Sequence, residues 1–559
     1  MLGSEYRVVV AYDFGTTYSG AAYAFTHSTP TEVFDIKKWP HKAGNFFPKV
    51  PTLSVYQRHN QQRTQSLRRT ALSEWGHGAK RTMLKPHADK QNVLLSHIKL
   101  HLDESLHRPP IENGLTPVQA VADYLAALHQ HTLHELTHGF AKNYHPDTFR
   151  YCLTVPALWS DKAKHLMRQA AVQAGLISAS DPSDRLVLIS EPEAAALYCE
   201  ETMSDQVQFK DNDRIMICDA GGGTVDLIVF QVNITDDSEQ NGNNDSNNSV
   251  AWKKRQLKEV TKGMGESCGS VFLDEHFLEL LKTKLGTRVM NKIYQREINE
   301  LTNQFVDTIK PEFDPANDYF MTLPRSVQLQ DLPDSLLEED EGDLEEGILK
   351  FSGQELQEHV YDPVVDKVLA LIEQQYKQIP DERLDFLFLV GGFGSSKYLY
   401  ERIQQKFQHT QVNNIVCPAE RAALAVVRGA AYYGVHPQVI VSRISRRTYG
   451  IDTTEPFDEE LDPPSTRVVK PDGTIRCGSR FCPFVKKNEE LTVDDCIEKE
   501  FYVYYEKGAS LVINLYATEN DTIPRYHDDE GVQRIATITV PIPNMPDMEK
   551  DERLWFKVR

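Results

Sequence analysis

The strongest constraint on this chain is a strand-turn-strand pattern that occurs twice. In 214–232, RIMICDAGGGTVDLIVFQV, an apolar run ends at Asp219, a turn carries Gly221, Gly222, Gly223 and Thr224, and a second apolar run returns. In 7–25, RVVVAYDFGTTYSGAAYAF, the first run ends at Asp13 and the turn carries Gly15, Thr16 and Thr17. Glycines let backbone N–H groups approach an anion in φ/ψ regions closed to other residues, and threonine adds a hydroxyl donor. Such turns suit phosphate. A carboxylate at the strand end suits magnesium, which takes one or two carboxylates and keeps several waters. One copy alone is an ordinary glycine turn. Two copies predict two similar lobes facing one another, each offering a carboxylate and a donor-rich turn to the same polyphosphate.

The chain has 559 residues, of which 40% are apolar. That is enough for several domains at the usual size of about 100–200 residues. A formal charge of -20 argues against a binder of nucleic acid, whose affinity comes from Lys and Arg neutralising phosphates. No apolar run reaches the roughly 18 residues of a membrane-spanning helix, and MLGSEYRVVV lacks the apolar core of a signal peptide. The expectation is a protein of the cytoplasm or nucleus with no membrane partner. Cys152, Cys199, Cys218, Cys268 and Cys417 stand singly, and Cys477, Cys482 and Cys496 form no CxxC pair, so free thiols are expected rather than a zinc site.

Along the chain, VFDIKKWP and KVPTLSVY read as short strands punctuated by Pro40, Pro48 and Pro51. The segment 116–136 has helical apolar spacing and opens with a Thr-Pro cap. His134 to His138 spells HExxH, the pattern in which two histidines one turn apart hold zinc. Gly139 follows at once and no third ligand stands at the metzincin spacing, so a helix end rich in solvated histidine is expected. FRYCLTVP is a strand, 160–175 is a helix, and LVLISEPEAAALYCE is a strand running into Glu191 and an alanine-rich helix. Glu191 thus sits at the carboxyl edge of a strand, the usual place for function in α/β folds.

The stretch 233–250 is polar and of low complexity, and 334–347 is acidic; both read as loops. FLFLVGGFGSSKYLYERIQQKF, 386–407, gives a strand, a turn with Gly391 and Gly392, and a helix whose N-terminal end carries Ser395 and Ser396. A helix start of this kind favours an anionic ligand, while the absence of GxGxxG disfavours a dinucleotide fold. From about Ser442 the pattern changes to strands and turns.

These segments carry a resemblance. DFGTTYSG, LTVPALWSDKAKHLMRQAAVQAGL, ISEPEAAALY, CDAGGGTVDL and FLVGGFGSS, in this order, resemble the motifs of the seventy-kilodalton heat-shock (DnaK-like) chaperone family, within the actin and sugar-kinase superfamily. The resemblance implies an α/β fold: a two-lobed actin-like ATPase domain with duplicated β-hairpin phosphate loops over 1–440. A smaller β-rich peptide-binding domain would occupy 441–559. It implies ATP, ADP and Mg²⁺ as cofactors, and polypeptide clients and co-chaperones as partners.

By the same resemblance, Gly15, Thr16, Thr17 and Gly221 to Thr224 would hold the β- and γ-phosphates. Asp13, Glu191 and Asp219 would organise magnesium and the attacking water, Asp226 would be a nearby cation ligand, and Lys99 is the candidate catalytic lysine, against the alternative of a solvated helix lysine. Gly391 and Gly392 would receive the adenosine, with Phe393 and Ser395 where the family has Ser and Arg. Asp307 and Lys310 keep the family's acid-x-x-Lys spacing toward the ribose. The join HPQVIVSRISRRTYGI lacks the family's acidic-leucine linker, and the chain ends at Arg559 in a strand-like run, so no helical lid is expected.

The function expected is ATP binding and slow hydrolysis, with nucleotide state controlling the binding of polypeptide clients. A nucleotide-dependent scaffold without productive ATPase or chaperone activity is the alternative. A small-molecule kinase shares the hairpins but not the TVPA and EP-AAA segments or the β-rich tail.

Overall fold

The computed structural model describes residues 6–42, 48–58, 71–103, 106–139, 143–203, 207–235, 254–333, 336, 343–380, 383–418, 422–492 and 496–558. Most of the polar stretch (236–250) and of the acidic one (334–335 and 337–342) lies outside these residues. Contacts divide the chain into two compact units, one of Met1–Arg255 with Gly263–Val439 and one of Gln256–Lys262 with Ile440–Arg559.

The first unit is mixed α/β and contains one strand arrangement twice. Strand β1 (Val8–Asp13) pairs antiparallel with β2 (Tyr18–Phe25), which also pairs with β3 (Val33–Asp35) and with the short β4 (Val50–Pro51). On its other side β1 runs parallel to β5 (Phe149–Val155), and β5 runs parallel to β6 (Leu186–Ser190). In the second copy, β7 (Arg214–Ala220) pairs antiparallel with β8 (Val225–Thr235) and parallel with β9 (Leu384–Val390), which runs parallel to β10 (Val412–Val416). Every residue of β1 is buried, as are all but the first of β7. That is why both read as unbroken apolar runs: a strand with neighbours on both sides and helices over its faces has no solvent side to mark with polar residues. Their registers place Asp13 opposite Gly20 and Asp219 opposite Asp226.

Helix α1 (Pro117–His138) starts at Thr116, whose hydroxyl accepts from Gln119 N, and buries Val121, Leu125, Leu128 and Leu136. It is followed by α2 (Asp161–Gln173), capped by Ser160, and by α3 (Glu191–Met203), which begins where β6 ends. Ala194, Ala195 and Ala196 of α3 are fully buried, and small side chains allow the close approach of α3 to a later apolar helix, α5 (Ala425–Val435). Between them α4 (Lys397–Phe407) follows β9, with the Ser396 hydroxyl accepting from Leu399 N as its cap.

The second unit is built of strands. Its main sheet runs in the order β13 (Arg467–Val469), β14 (Ile475–Val485), β12 (Thr448–Pro456), β17 (Ser510–Thr518), β18 (Val532–Pro541). β16 (Lys499–Tyr504) pairs with β19 (Arg553–Val558), and β11 (Ile440–Ile444) pairs with β15 (Glu490–Thr492) and with Leu257 and Lys258. The core is small, with Ile451, Phe481, Tyr505 and Tyr516 among its buried apolar residues, and it is supplemented by a polar knot. There, against the upward push of burial, the Asp458 amide, the Tyr526 hydroxyl, Arg525 and Arg480 all donate to Asp462 and hold its carboxyl down to about 2. Val512, Ile538, Val540 and Trp555 stay largely exposed.

Candidate functional site

The two hairpin turns meet at one cavity of about 660 Å³ within the first unit. A Cβ added at Gly222 would lie 2.4 Å from Thr17 Oγ1, and one at Gly223 would lie 2.4 Å from Thr16 Oγ1. The threonines of the first turn therefore abut the glycines of the second, and any larger residue would drive them apart. Each turn is tied down through its carbonyls. Thr52 donates from its amide to Thr17 O and from its hydroxyl to Gly15 O, both at 2.8 Å. The amides of Ser270, Val271 and Gly269 donate to the carbonyls of Gly221, Gly222 and Gly223 at 2.8–3.1 Å. These contacts fix both turns, and within the second the Gly221 amide donates to Thr224 O at 2.9 Å.

A third turn closes the cavity after β9. Gly391 has φ +87°, and a Cβ there would lie 2.4 Å from both Ala220 O and Asp219 Oδ1, so only glycine fits. Ala220 O accepts from the amides of Phe393 and Gly394, and the Ser395 hydroxyl is turned back on Gly392 O. Leu273, Val306, Pro311, Phe393 and Val426 give part of the lining an apolar character.

Charges are concentrated beside the turns. Lys99, with 2% of its surface exposed, is ion-paired with Glu191 and lies 5.7 Å from the centre of the Trp159 ring. Asp13 accepts from Lys49 Nζ at 2.6 Å on Oδ2 and from Thr154 Oγ1 at 3.2 Å on Oδ1. Burial, then the negative charges of Glu191, Asp226 and Asp13, push the Asp219 carboxyl well above the usual carboxylate range. Burial likewise pushes Glu191 up to about 7 against the pull of Lys99. Burial and the mutual repulsion of neighbouring carboxylates thus both favour the protonated forms of Asp219 and Glu191.

No protein-family model matches the chain. It is 24% identical to human heat shock 70 kDa protein 12A over 96% of its own length and 85% of that protein's. Human heat shock 70 kDa protein 12B is also 24% identical, over 96% of this chain and 84% of its own. The chaperone protein dnaK of Guillardia theta is 23% identical over 56% of this chain and 44% of its own length. This chain is a divergent member of the seventy-kilodalton heat-shock family.

In this heat-shock family member, the residues singled out in the sequence fall at the cavity with one exception. Asp13, Gly15, Thr16, Thr17, Lys99, Glu191, Asp219, Gly221 to Thr224, Asp307, Lys310, Gly391, Gly392, Phe393 and Ser395 all line it. Asp226 does not: it is 1% exposed, and its Oδ1 accepts from the amides of Ala157 and Leu158 at 2.8 and 3.3 Å. The solvated alternative for Lys99 fails, because its ammonium is buried against Glu191. Lys310 is held by Asp274 Oδ1 and Ser270 O, both at 2.7 Å, and Asp307 sits in the π-turn Phe305–Ile309 just before it. The HExxH pair lies on the exposed last turn of α1, with the His138 ring 4.1 Å from that of His134 and Gly139 ending the helix. All eight cysteines are free thiols.

Sequence reasoning missed Lys49, and with it Lys42, His77 and Lys80, which also line the cavity. A lysine just before a two-residue strand carries no motif; its importance comes from the pairing of β4 with β2, which no local pattern announces. Among the described residues, no group of three or more His, Cys, Asp or Glu side chains converges closely enough to cage a metal ion. Of Asp13, Glu191 and Asp219, the first is ion-paired with Lys49 and the second with Lys99. The donor set still fits magnesium, which needs only one or two carboxylates beside substrate phosphates and water. No helix among the described residues is long and apolar enough to cross a membrane.

Proposed function

We propose that the cavity binds ATP with Mg²⁺ and hydrolyses it slowly, and that nucleotide state governs the binding of polypeptide clients. In this reading residues 1–440 are a two-lobed actin-like ATPase domain whose hairpin turns are phosphate loops. Residues 441–559 are a β-rich domain that takes extended peptide along its strands. The observation that carries the reading is the contact of Thr16 and Thr17 with Gly223 and Gly222, which puts two donor-rich turns around one space. Phosphoryl transfer is mainly positioning and charge neutralisation, and that is what such a space supplies.

The roles follow from the contacts. The amides of both turns, with the hydroxyls of Thr16, Thr17 and Thr224, would bind the β- and γ-phosphates. Asp219, on the second hairpin, would hold Mg²⁺ in its ionised form, and the metal would supply neutralisation of the phosphate charge. Glu191, held by Lys99, would orient the attacking water and take its proton; a carboxyl at about 7 is suited to that exchange near neutral pH. The base would pack against apolar Phe393, Val306 and Pro311 in place of a polar clamp.

Single-turnover hydrolysis of labelled ATP with Mg²⁺, read beside Asp219→Ala, tests the reading. Slow turnover by the unmodified chain that Asp219→Ala abolishes is expected. Equal turnover by the two would sink the assignment, and binding without turnover would favour the nucleotide-dependent scaffold. For the second half of the proposal, an unfolded polypeptide should alter the ATPase rate and ATP should alter polypeptide affinity.

A further inference from the structure

We propose that Lys49 is a built-in counter-cation for Asp13, which competes with the divalent metal at the first hairpin and lets the cavity take nucleoside triphosphate with a reduced metal requirement. The inference rests on the reading of the cavity as a nucleotide and metal site. Its basis is the way the chain delivers this ammonium. β4 pairs with β2 in the register Val50 to Ser19 and Pro51 to Tyr18, so Lys49 comes level with Gly20. Gly20 is the residue that faces Asp13 across the hairpin. A Cβ on Gly20 would lie 3.3 Å from Lys49 Cγ, 3.5 Å from Cε and 3.8 Å from Cδ, so the lysine stem lies over the bare backbone of the strand. Its ammonium ends 2.6 Å from Asp13 Oδ2, with the two side chains 12% and 5% exposed.

The consequence is electrostatic. A divalent cation drawn to Asp13 meets an ammonium already on one oxygen and the Thr154 hydroxyl on the other. Either Lys49 leaves, which costs it a screened ion pair, or the metal binds beside a like charge; both weaken metal binding at this hairpin. A metal would then be drawn instead to Asp219 on the second hairpin, which lines the same cavity. In the absence of metal, Lys49 is within the same cavity lining as the phosphate turns and neutralises part of the phosphate charge itself. Lysine suits the role because its charge is compact and its stem flexible.

The test compares the unmodified chain with Lys49→Gln and Lys49→Arg by titration with Mn²⁺ alone, followed by electron paramagnetic resonance, and by ATP affinity in Mg²⁺ and in chelator. Lys49→Gln should bind Mn²⁺ about tenfold more tightly, as for loss of one adjacent like charge, and should lose ATP affinity in chelator far more than in Mg²⁺. Lys49→Arg keeps the charge and should follow the unmodified chain. Should Lys49→Gln fail to fold, acylation of Lys49 in the unmodified chain, read by mass spectrometry, decides: Mn²⁺ should raise it. Mn²⁺ affinities that are equal in all three, or acylation indifferent to Mn²⁺, would overturn the inference even if ATP binds. Differing Mn²⁺ affinities with no ATP binding at all would instead remove the nucleotide reading and leave the counter-cation role standing.

Discussion

The two hairpins share a topology, a turn of four residues and an aspartate at the strand end, yet their aspartates live under opposite conditions. Asp13 has an ammonium on one oxygen and a hydroxyl on the other. Asp219 is packed by the Gly391 turn and surrounded by the charges of Glu191, Asp226 and Asp13, which outweigh the opposing pull of Lys49. The repeated backbone thus supplies two similar turns, while residues brought in from elsewhere set the surroundings of each carboxylate: Asp13 is ion-paired with Lys49, and Asp219 is crowded by other carboxylates. A duplicated fold does not imply duplicated chemistry.

The sharpest way to break this contrast is to make the same change at both positions. Asp219→Asn should lower ATP turnover by about a hundredfold or more, as removal of one preorganised charge does, with the fold retained in circular dichroism. Asp13→Asn should be harmful in a different manner. It leaves Lys49 without its partner in a largely buried setting and should destabilise the first unit by about 3 kcal/mol in a denaturant titration. Equal stability of the two variants would remove the distinction between the hairpins.

A smaller effect, of opposite sign, is expected from Asp219→Asn on stability. In the folded chain Asp219 holds its proton to a higher pH than it would when unfolded. The folded state therefore binds more protons than the unfolded one above the ordinary carboxylate range, and stability falls as pH rises through that interval. Glu191 adds to the same trend between its ordinary value of about 4.5 and about 7. Asp219→Asn should accordingly raise the melting temperature of the metal-free protein at pH 8 by a few degrees, about 1 kcal/mol of removed repulsion, and change it little at pH 4. Scanning fluorimetry at both pH values checks the sign. A variant that is less stable at pH 8 would mean that Asp219 is already compensated.

What the sequence made legible and what it hid divide along the same line. β1 and β7 could be read because burial on both faces writes itself as an apolar run, and the turns because glycine and threonine mark the backbone locally. Glu191 was readable from its place between an apolar strand and an alanine-rich helix. Lys49 was hidden because its place depends on a two-residue strand finding its register on β2, and so was the engagement of Asp226 Oδ1 by the amides of Ala157 and Leu158, distant in sequence. The inclusion of Gln256–Lys262 in the second unit is likewise a product of long-range pairing, with β11. The HExxH match erred in the other direction, as a local pattern without a site. Changing both His134 and His138 to Ala should leave stability within about 0.5 kcal/mol and zinc content unchanged by metal analysis, the smallest effect of the set.

The most direct test of the account is equilibrium binding of ATP with Mg²⁺ to the unmodified chain and to Gly223→Val, by calorimetry on folded protein. A Cβ at Gly223 would lie 2.4 Å from Thr16 Oγ1, so a side chain there must displace Thr16 and separate the turns. The account predicts saturable binding by the unmodified chain and a loss of at least about a hundredfold in the variant, the effect of more than one lost charge-assisted contact. No binding by the unmodified chain, or equal binding by the two, would contradict the claim that the paired turns form a phosphate site.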